Sequence, residues 1–488
     1  MADHDIASAF RSCPRRPRIV VIGGGFCGTV FVMHLLRAAP GLLAEISIVE
    51  PRGSLGEGLA YGTRDPEHRV NVAAARMSLF AETPGDFHEW FVATHGDRDD
   101  PASVVESVGV YPRRAAFAGY VRTRLCEARQ HAQAEVHHVH ARALSAQPLA
   151  NGFTVTMEDG RRLNADWLIL ATGHPATEPP APLRALAGDP ALIDNPWSAE
   201  ALRAIDADER VVVVGTGLTM GDVLATLRTQ GHRAPALAIS RRGLLPRPRT
   251  VVPVEPTGDF TDPPERCASA LLARVRRAIA VRVAAGRPWE DVFDALRAQG
   301  RAVWSALPVA DRLRLLRHAA PFWDVHRYQC APQIHARLRG DLASGALIVR
   351  AASLRGAERG EDGIRLRLHA RGAPAEEEFI HNCDRVITCT GPGHRSAIAR
   401  NRLLKSLAEA GSIRADGFGL GIEVDDRAQA IGADGRAQER LLVVGPPARG
   451  TWGELMGLPQ VSAQPREVAV NLAHSLSDQS FLQEQLPA

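Results

Sequence analysis

No stretch of this sequence is apolar over the length of a membrane span, and no basic stripe gathers its charges on one face. No two of its seven cysteines stand in a Cys-x-x-Cys or Cys-x-x-x-x-Cys pattern. Each absence excludes a class. Without an apolar run of about 20 residues there is no transmembrane helix, and without paired cysteines neither a zinc knuckle, a dithiol redox centre nor a disulfide framework is expected. A net charge of +3 with acids and bases interspersed argues against nucleic acid as a partner. Lysine is nearly absent too: Lys405 is alone, so arginine carries almost all the positive charge, a bias that base composition explains. The leader, Met1 to Arg18, is polar and runs into a strand and a glycine turn rather than a secretory apolar core, so a cytoplasmic protein is expected. What remains, 45% hydrophobic and 23% charged over 488 residues, describes a globular chain of two or three domains.

The most informative stretch is Ile19-Val-Val-Ile-Gly-Gly-Gly-Phe-Cys-Gly28. Four branched apolar residues read as a buried parallel strand, Gly23, Gly25 and Gly28 fall on a Gly-x-Gly-x-x-Gly spacing, and Thr29 to Leu36 carry a helical pattern. Gly23 permits the tight turn, Gly25 lets a pyrophosphate approach the backbone, and Gly28 lets helix and strand pack closely. A second strand, Glu45 to Val49, ends in Glu50, where a carboxylate meets the ribose hydroxyls of an adenine dinucleotide. From Pro51 to Trp90 the chain is rich in glycine and small residues without clean periodicity, the composition a flavin ring and ribityl chain require around them. Arg76, Met77 and Ser78 sit there amid apolar residues, where polar groups need a partner.

Residues 111 to 135 read as a helix, followed by a strand-like Val136 to Arg142. Its His138 and His140 share one face, but with no third ligand nearby the pair reads as strand surface rather than a metal site. A hairpin over Phe153 to Asn164 leads to a buried strand, Asp166 to Leu170, ending in Ala171-Thr-Gly173, where glycine lets the backbone close over a cofactor. The same order of parts then recurs. Arg210 to Val214 is a strand, Gly215-Thr-Gly217 a phosphate turn in which Met220 replaces the third glycine, and Ala236 to Ser240 the next strand. A hairpin over Gly363 to His369 and Glu377 to Ile380 precedes a strand, Asp384 to Cys389, ending in Thr390-Gly391. Two such turns imply two nucleotide domains, one for FAD and one for a nicotinamide cofactor. Where the first copy has Glu50 the second has Arg241 and Arg242, guanidinium groups suited to a 2′-phosphate, so the second cofactor is expected to be NADPH.

Between the second motif and its hairpin lies an insertion, about 253 to 345, with helical patterns over Ala268 to Ala285, Trp289 to Trp304, Ala310 to Ala319 and Ala331 to Leu342. It contains His318-Ala-Ala-Pro-Phe-Trp-Asp-Val-His-Arg327, dense in aromatic and ionisable groups, in which Asp324 and Arg327 read equally as an ion pair. Such an insert caps a flavin and excludes water. The tail, Leu441 to Pro447, is one more strand with a glycine turn, and a helix is expected from about Pro465 to Leu476 with proline at its first position. Pro446 stands where such flavoproteins usually carry an acid, so backbone groups near Gly445 and Gly450 are expected to face the cofactor.

Gly58-Leu-Ala-Tyr-Gly-Thr63, Asn71 with Ala75-Arg-Met-Ser78, Asn195-Pro-Trp197, Arg317-His318, Trp323-Asp-Val-His-Arg327 and Arg449-Gly-Thr-Trp-Gly-Glu454 together resemble a bacterial family of FAD/NAD(P)-binding proteins related to flavin-dependent N-hydroxylating and Baeyer–Villiger-type monooxygenases. The resemblance covers nearly the whole chain. It implies an α/β fold of two dinucleotide-binding Rossmann-type domains with a helical insertion: an FAD-binding part over 1–198, an NADPH-binding part over 199–382, and a second FAD-binding part over 383–488. Asn71 and Met77 join the glycines and Glu50 as implied FAD contacts. The Phe-x-Gly-x-x-x-His segment common in such monooxygenases is replaced by Ile193-Asp-Asn-Pro-Trp197. The leading expectation is a monooxygenase joining molecular oxygen to a small polar substrate such as an amine or amino acid. Arg76, Arg317 and His318 are candidate partners of a substrate carboxylate or of the activated oxygen, and His318 and Asp324 candidate guards of its lifetime. An NADPH:acceptor oxidoreductase and a non-enzymatic FAD-binding redox sensor remain open at this point.

Overall fold

A computed structural model describes residues 15–249, 255–374 and 376–484. Cys13, most of the leader and the first residues of the insertion at Pro253 lie outside the described residues. Each glycine turn stands at the end of a strand in the middle of its own sheet. Arg18–Ile22 lies between Glu45–Val49 and Trp167–Leu170, parallel to both, with Val21 opposite Ile48 on one side and Ile169 on the other. The six-stranded sheet is completed by Glu135–Val139 at one edge and by Ala437–Val443 and Gln429–Ile431 at the other. Parallel strands covered on both faces must be apolar throughout, and Ile19, Val20 and Val21 are at most 2% exposed. The second sheet repeats the plan: Val211–Val214 lies between Ala236–Ser240 and Arg385–Thr388, again parallel to both.

The copies share one packing device. Gly23 has φ +105°, and a Cβ there would sit 2.3 Å from the Ala171 carbonyl oxygen; Gly215 has φ +113°, and a Cβ there would sit 2.2 Å from the Cys389 oxygen. In both, the strand that ends in Thr-Gly presses its last carbonyl against the first glycine of the turn. Met220, fully buried, fills the place of the third glycine, and close packing moves to Gly221, whose neighbour is Ile334 on the helix Pro332–Ser344. That helix therefore belongs with the second nucleotide turn, not with the insertion.

Other elements differ from the expected ones. Leu347–Gly360 is a 14-residue strand, parallel to Ala236–Ser240 over its first part and then antiparallel to Gly363–Ala370. Leu192–Ile193 and Arg385–Thr388 both belong to the second sheet, so that sheet draws strands from before residue 199 and after residue 382. The last helix spans Gln460–Glu484 with Pro465 inside it rather than at its first position. Proline has no N–H for the carbonyl four residues back, and that carbonyl, Val461 O, instead accepts the Cys27 thiol at 3.8 Å. Among the described residues the insertion forms five helices, Ala268–Ala284, Glu290–Ala298, Gly300–Ala306, Val309–His318 and Ala320–Arg327, partly packed on a separate small core of Phe260, Leu271, Val275 and Val292. Among the described residues no helix is long and apolar enough to cross a membrane.

Gly215 and Gly217 separate packing from binding, because Gly217 has no atom within 4 Å of a Cβ and an ordinary negative φ. Gly215→Ala should lower unfolding stability by at least about 2 kcal/mol, from strain and overlap together. Gly217→Ala should leave urea and thermal melts nearly unchanged. Equal melts for the two variants would show that the turn does not depend on the Cys389 contact.

Candidate functional site

Both glycine turns open long helices without side-chain caps. Gly25 and Gly217 are the N-cap residues of Phe26–Ala38 and Leu218–Thr229, each extended in backbone, with no side-chain hydrogen bond to the first turn. Unpaired N–H groups and the positive end of the helix dipole form a phosphate site. Behind each turn the next strand is tied in at the same point. Gly24 N donates to Glu50 Oε2 at 3.0 Å, and Thr216 Oγ1 donates to Ser240 Oγ at 2.8 Å. Glu50 is 4% exposed and also accepts from Arg52 N and Nη1. A carboxylate has about four acceptor positions, which leaves room for a ribose hydroxyl. The turn at Gly23, Gly25 and Gly28 together with the acceptor Glu50 thus fits an adenine dinucleotide.

Beside the second turn, Arg241 and Arg242 directly follow Ser240, the residue bonded to Thr216. Arg241 is exposed; Arg242 lies over the Phe322 ring at 5.1 Å, and its Nε is buried without a partner among the described residues. Gly173 and Gly391, with φ +69° and +83°, have open space where a Cβ would point, as a surface that receives a ligand requires. Other expected contacts are already engaged. Asn71 accepts Arg249 Nε at its backbone oxygen (2.8 Å) and Ala331 N at Oδ1 (3.3 Å), and Met77 is buried. Gly445 N donates to Gln464 Oε1 at 2.8 Å, while Asp416 crowds Gly450.

Between the two turns the structure assembles a cluster that sequence reasoning did not foresee. His174 and His394 follow the two Thr-Gly turns, their rings 5.9 Å apart, and Arg449 from the tail lies 3.3 Å from His394 Nε2. Burial, reinforced by Arg449, lowers His394 to about 4; burial, then His394 and Arg449, lowers His174 to about 3. Both rings are neutral at physiological pH. His174 Nδ1 and Arg449 Nε are buried without partners among the described residues. The repeat held a signal for this pair, since both histidines stand just beyond Thr-Gly.

The insertion is fastened to the tail by Glu454, which accepts Arg327 Nε at 3.1 Å and Trp323 Nε1 at 3.3 Å. Arg327 therefore pairs with Glu454, not with Asp324. Asp324 is exposed at the surface, yet protein atoms crowd around its carboxyl. That enclosure, helped by Glu454, outweighs Arg449 and Arg327 and pushes its pKa up to about 6. Arg327 also lines a cavity of about 450 Å³, bounded further by Val72, Arg76, Tyr111, Arg249, Trp289, Phe293 and His326. Arg76 lines it and donates to Asp294 at 3.0 Å. Arg317 and His318 end the helix Val309–His318 on its exposed side, and neither lines the cavity.

Residues 20–175 match the family of FAD-NAD(P)-binding proteins, so this part of the chain is an FAD/NAD(P)-binding domain. No curated protein sequence matches the chain. In fold the chain is similar to the ornithine hydroxylase of Pseudomonas aeruginosa, with a TM-score of 0.63 and 17% identity over 95% of this chain and 100% of that one. The ornithine N-hydroxylase of Kutzneria sp. 744, solved with reduced FAD, NADP+ and L-ornithine, gives 0.60 and 17% over 96% and 100%. The L-lysine 6-monooxygenase of Pseudomonas syringae gives 0.60 and 16% over 94% and 99%. The fold is thus that of two-domain FAD/NADP flavoproteins.

Asp324 supplies a pH test. Its folded pKa lies above the value of about 3.9 for an unfolded aspartate, so folding binds a proton that the unfolded chain releases. The stability this contributes is present at the acid end and is lost as pH rises from about 4 to about 6. The melting temperature of the wild type relative to Asp324→Asn should fall across that window and stay level above it. A constant difference from pH 4 to 8 would show an ordinary surface carboxylate.

Proposed function

We propose that this chain is an FAD- and NADPH-dependent monooxygenase acting on a small polar substrate, with N-hydroxylation of a small amine or amino acid as the favoured reaction. The observation that carries this reading is the cavity of about 450 Å³ walled by the helical insertion, with Arg327, which pairs with Glu454 of the tail, in its lining. A substrate held there is kept from bulk water, the condition under which activated oxygen is transferred rather than lost as peroxide. When bound, FAD supplies the redox and oxygen chemistry. The chain's own groups orient and shield. Gly23, Gly25, Gly28 and Glu50 hold the adenine dinucleotide half, and Gly215, Gly217, Arg241 and Arg242 hold NADPH. Neutral His174 and His394 with cationic Arg449 give the cleft a fixed polarity that does not change near neutral pH. Asp324, with a pKa of about 6, is suited to hold or release a proton beside the reacting region. We assign Arg76, which lines the cavity, and Asp324, whose carboxyl lies within the field of Arg449, Glu454 and Arg327, to that region in place of Arg317 and His318. The likeness in fold to three amino-acid N-hydroxylases over nearly the whole chain supports the subtype.

A small-metabolite extract incubated with the flavin-loaded enzyme, NADPH and isotope-labelled oxygen should yield a product carrying one labelled oxygen, in step with NADPH consumed. Complete release of that oxygen as hydrogen peroxide, with every extract fraction tried, would sink the monooxygenase reading and leave an NADPH:acceptor oxidoreductase.

NADPH should be preferred over NADH, and removal of both Arg241 and Arg242 should weaken NADPH use by roughly 2–4 kcal/mol, the scale of charge-assisted bonds to a phosphate. Use of NADH should barely change. Equal catalytic efficiency with both cofactors in the wild type would assign these arginines another task.

A further inference from the structure

The cavity beneath the insertion contains more charge than its ion pairs consume. Arg76 and Arg297 share Asp294, at 3.0 and 2.8 Å, and Arg327 is held by Glu454. Two charged side chains are left over. Arg249 donates only through Nε, to the Asn71 carbonyl, and forms no ion pair among the described residues, so both terminal nitrogens of its guanidinium lack a partner there. Glu290 also lines the cavity and forms no ion pair among the described residues. The two line one cavity without meeting each other.

Each lies beside a second group suited to the same ligand charge. Tyr111 is 2% exposed and lines the cavity, yet its hydroxyl makes no hydrogen bond among the described residues; the charges of Arg249 and Arg76 act on it. A buried hydroxyl without a partner is costly unless a ligand completes it. Arg249 and Tyr111 together offer the bidentate fork and the extra donor that a carboxylate accepts. At the other end, Glu290 follows Trp289, whose ring stands 5.2 Å from Phe293 and edge-on to it. Phe293 also stacks on His326 at 5.2 Å and on Trp323 at 5.6 Å, so an ammonium is received here through the charge of Glu290 beside an aromatic cluster. Burial lowers Arg249 to about 10 and raises Glu290.

We propose that this cavity is a bipartite site for a small zwitterion of the amino-acid type, its carboxylate held by Arg249 and Tyr111 and its ammonium by Glu290 against Trp289 and Phe293. The inference rests on taking the cavity as the substrate end of the site. It commits the substrate to opposite charges at its two ends, which excludes both diamines and dicarboxylates.

Equilibrium binding to the flavin-loaded full chain, without NADPH, tests it with four probes: 5-aminopentanoate, L-lysine, cadaverine and glutarate. The first two should bind at least about tenfold more tightly than the last two, the value of one charge-assisted contact. Arg249→Met should weaken 5-aminopentanoate by about tenfold or more and leave cadaverine unchanged. Arg249→Lys, which keeps the charge but loses the fork, should fall between. Glu290→Gln should weaken 5-aminopentanoate and leave glutarate unchanged. Flavin content and melting temperature identify any variant that fails to fold, and the four-probe ranking of the wild type stands without the variants. Binding of cadaverine or glutarate as tight as that of 5-aminopentanoate, binding of no probe, or a folded Arg249→Met with wild-type affinity would each overturn the proposal. Because binding is read without turnover, tight zwitterion binding without oxygenation supports this site while removing the monooxygenase reading.

Discussion

The arrangement of the two nucleotide turns depends on one buried ion pair. Arg114, at the start of a helix in the first domain, reaches Asp222 at 2.8 Å, and the two side chains are only 8% and 4% exposed. Asp222 lies in the first turns of the helix that leaves Gly217, so this contact fixes the second phosphate turn relative to the first domain. Arg114 also donates to the Arg69 carbonyl at 2.9 Å, and one helical turn beyond Asp222, Thr226 meets His68 Nε2 at 3.0 Å. Residues four apart share a helix face, so Asp222 and Thr226 present a polar edge to the neighbouring domain. Breaking such a pair by removing one partner costs about 3–5 kcal/mol, because the other charge is left buried. This docking helps set the second phosphate turn, and with it Gly391 and His394, against the first domain.

Within that frame the repeat shows which parts of a dinucleotide site are obligatory and which are free. The overlap of the first glycine with a strand carbonyl is kept in both copies, to within 0.1 Å of the same approach. The third glycine is not kept: Met220 is accommodated because Gly221 takes up close packing against Ile334 instead. The group at the end of the second strand differs in charge, Glu50 against Ser240-Arg241-Arg242, while the bond that ties that strand to the turn persists. Geometry is duplicated and electrostatics diverge, which is how one architecture accepts two different nucleotides.

Much of this was legible in the sequence because it is local. Ile19 to Ile22, Glu45 to Val49 and Ala236 to Ser240 announce buried strands by composition, and the glycine spacings place the turns. The boundaries that failed are those decided by partners far away. Leu347–Gly360 changes from a parallel to an antiparallel neighbour part-way along, so no single periodicity describes it. Pro465 sits within a helix because Cys27, more than 400 residues earlier, meets the carbonyl it leaves free. The polar cluster was hidden for the same reason: His174, Asp324, His394, Arg449 and Glu454 come from four separate segments. Arg317 and His318 drew attention as neighbours of an aromatic-rich stretch, whereas the helix carrying them turns both outward.

The first sheet is made from the two ends of the chain. Trp167–Leu170 pairs on one side with Arg18–Ile22 and on the other with Ala437–Val443. The second sheet has all its strands once residue 388 has been made. On a ribosome adding about 10 residues per second, the edge of Trp167–Leu170 waits roughly half a minute for its partner. Through that interval the second domain can close while the first stays unfinished, with a flat apolar strand edge open to any other strand that meets it. The order of synthesis thus makes the amino-terminal domain, begun first, the last to be completed.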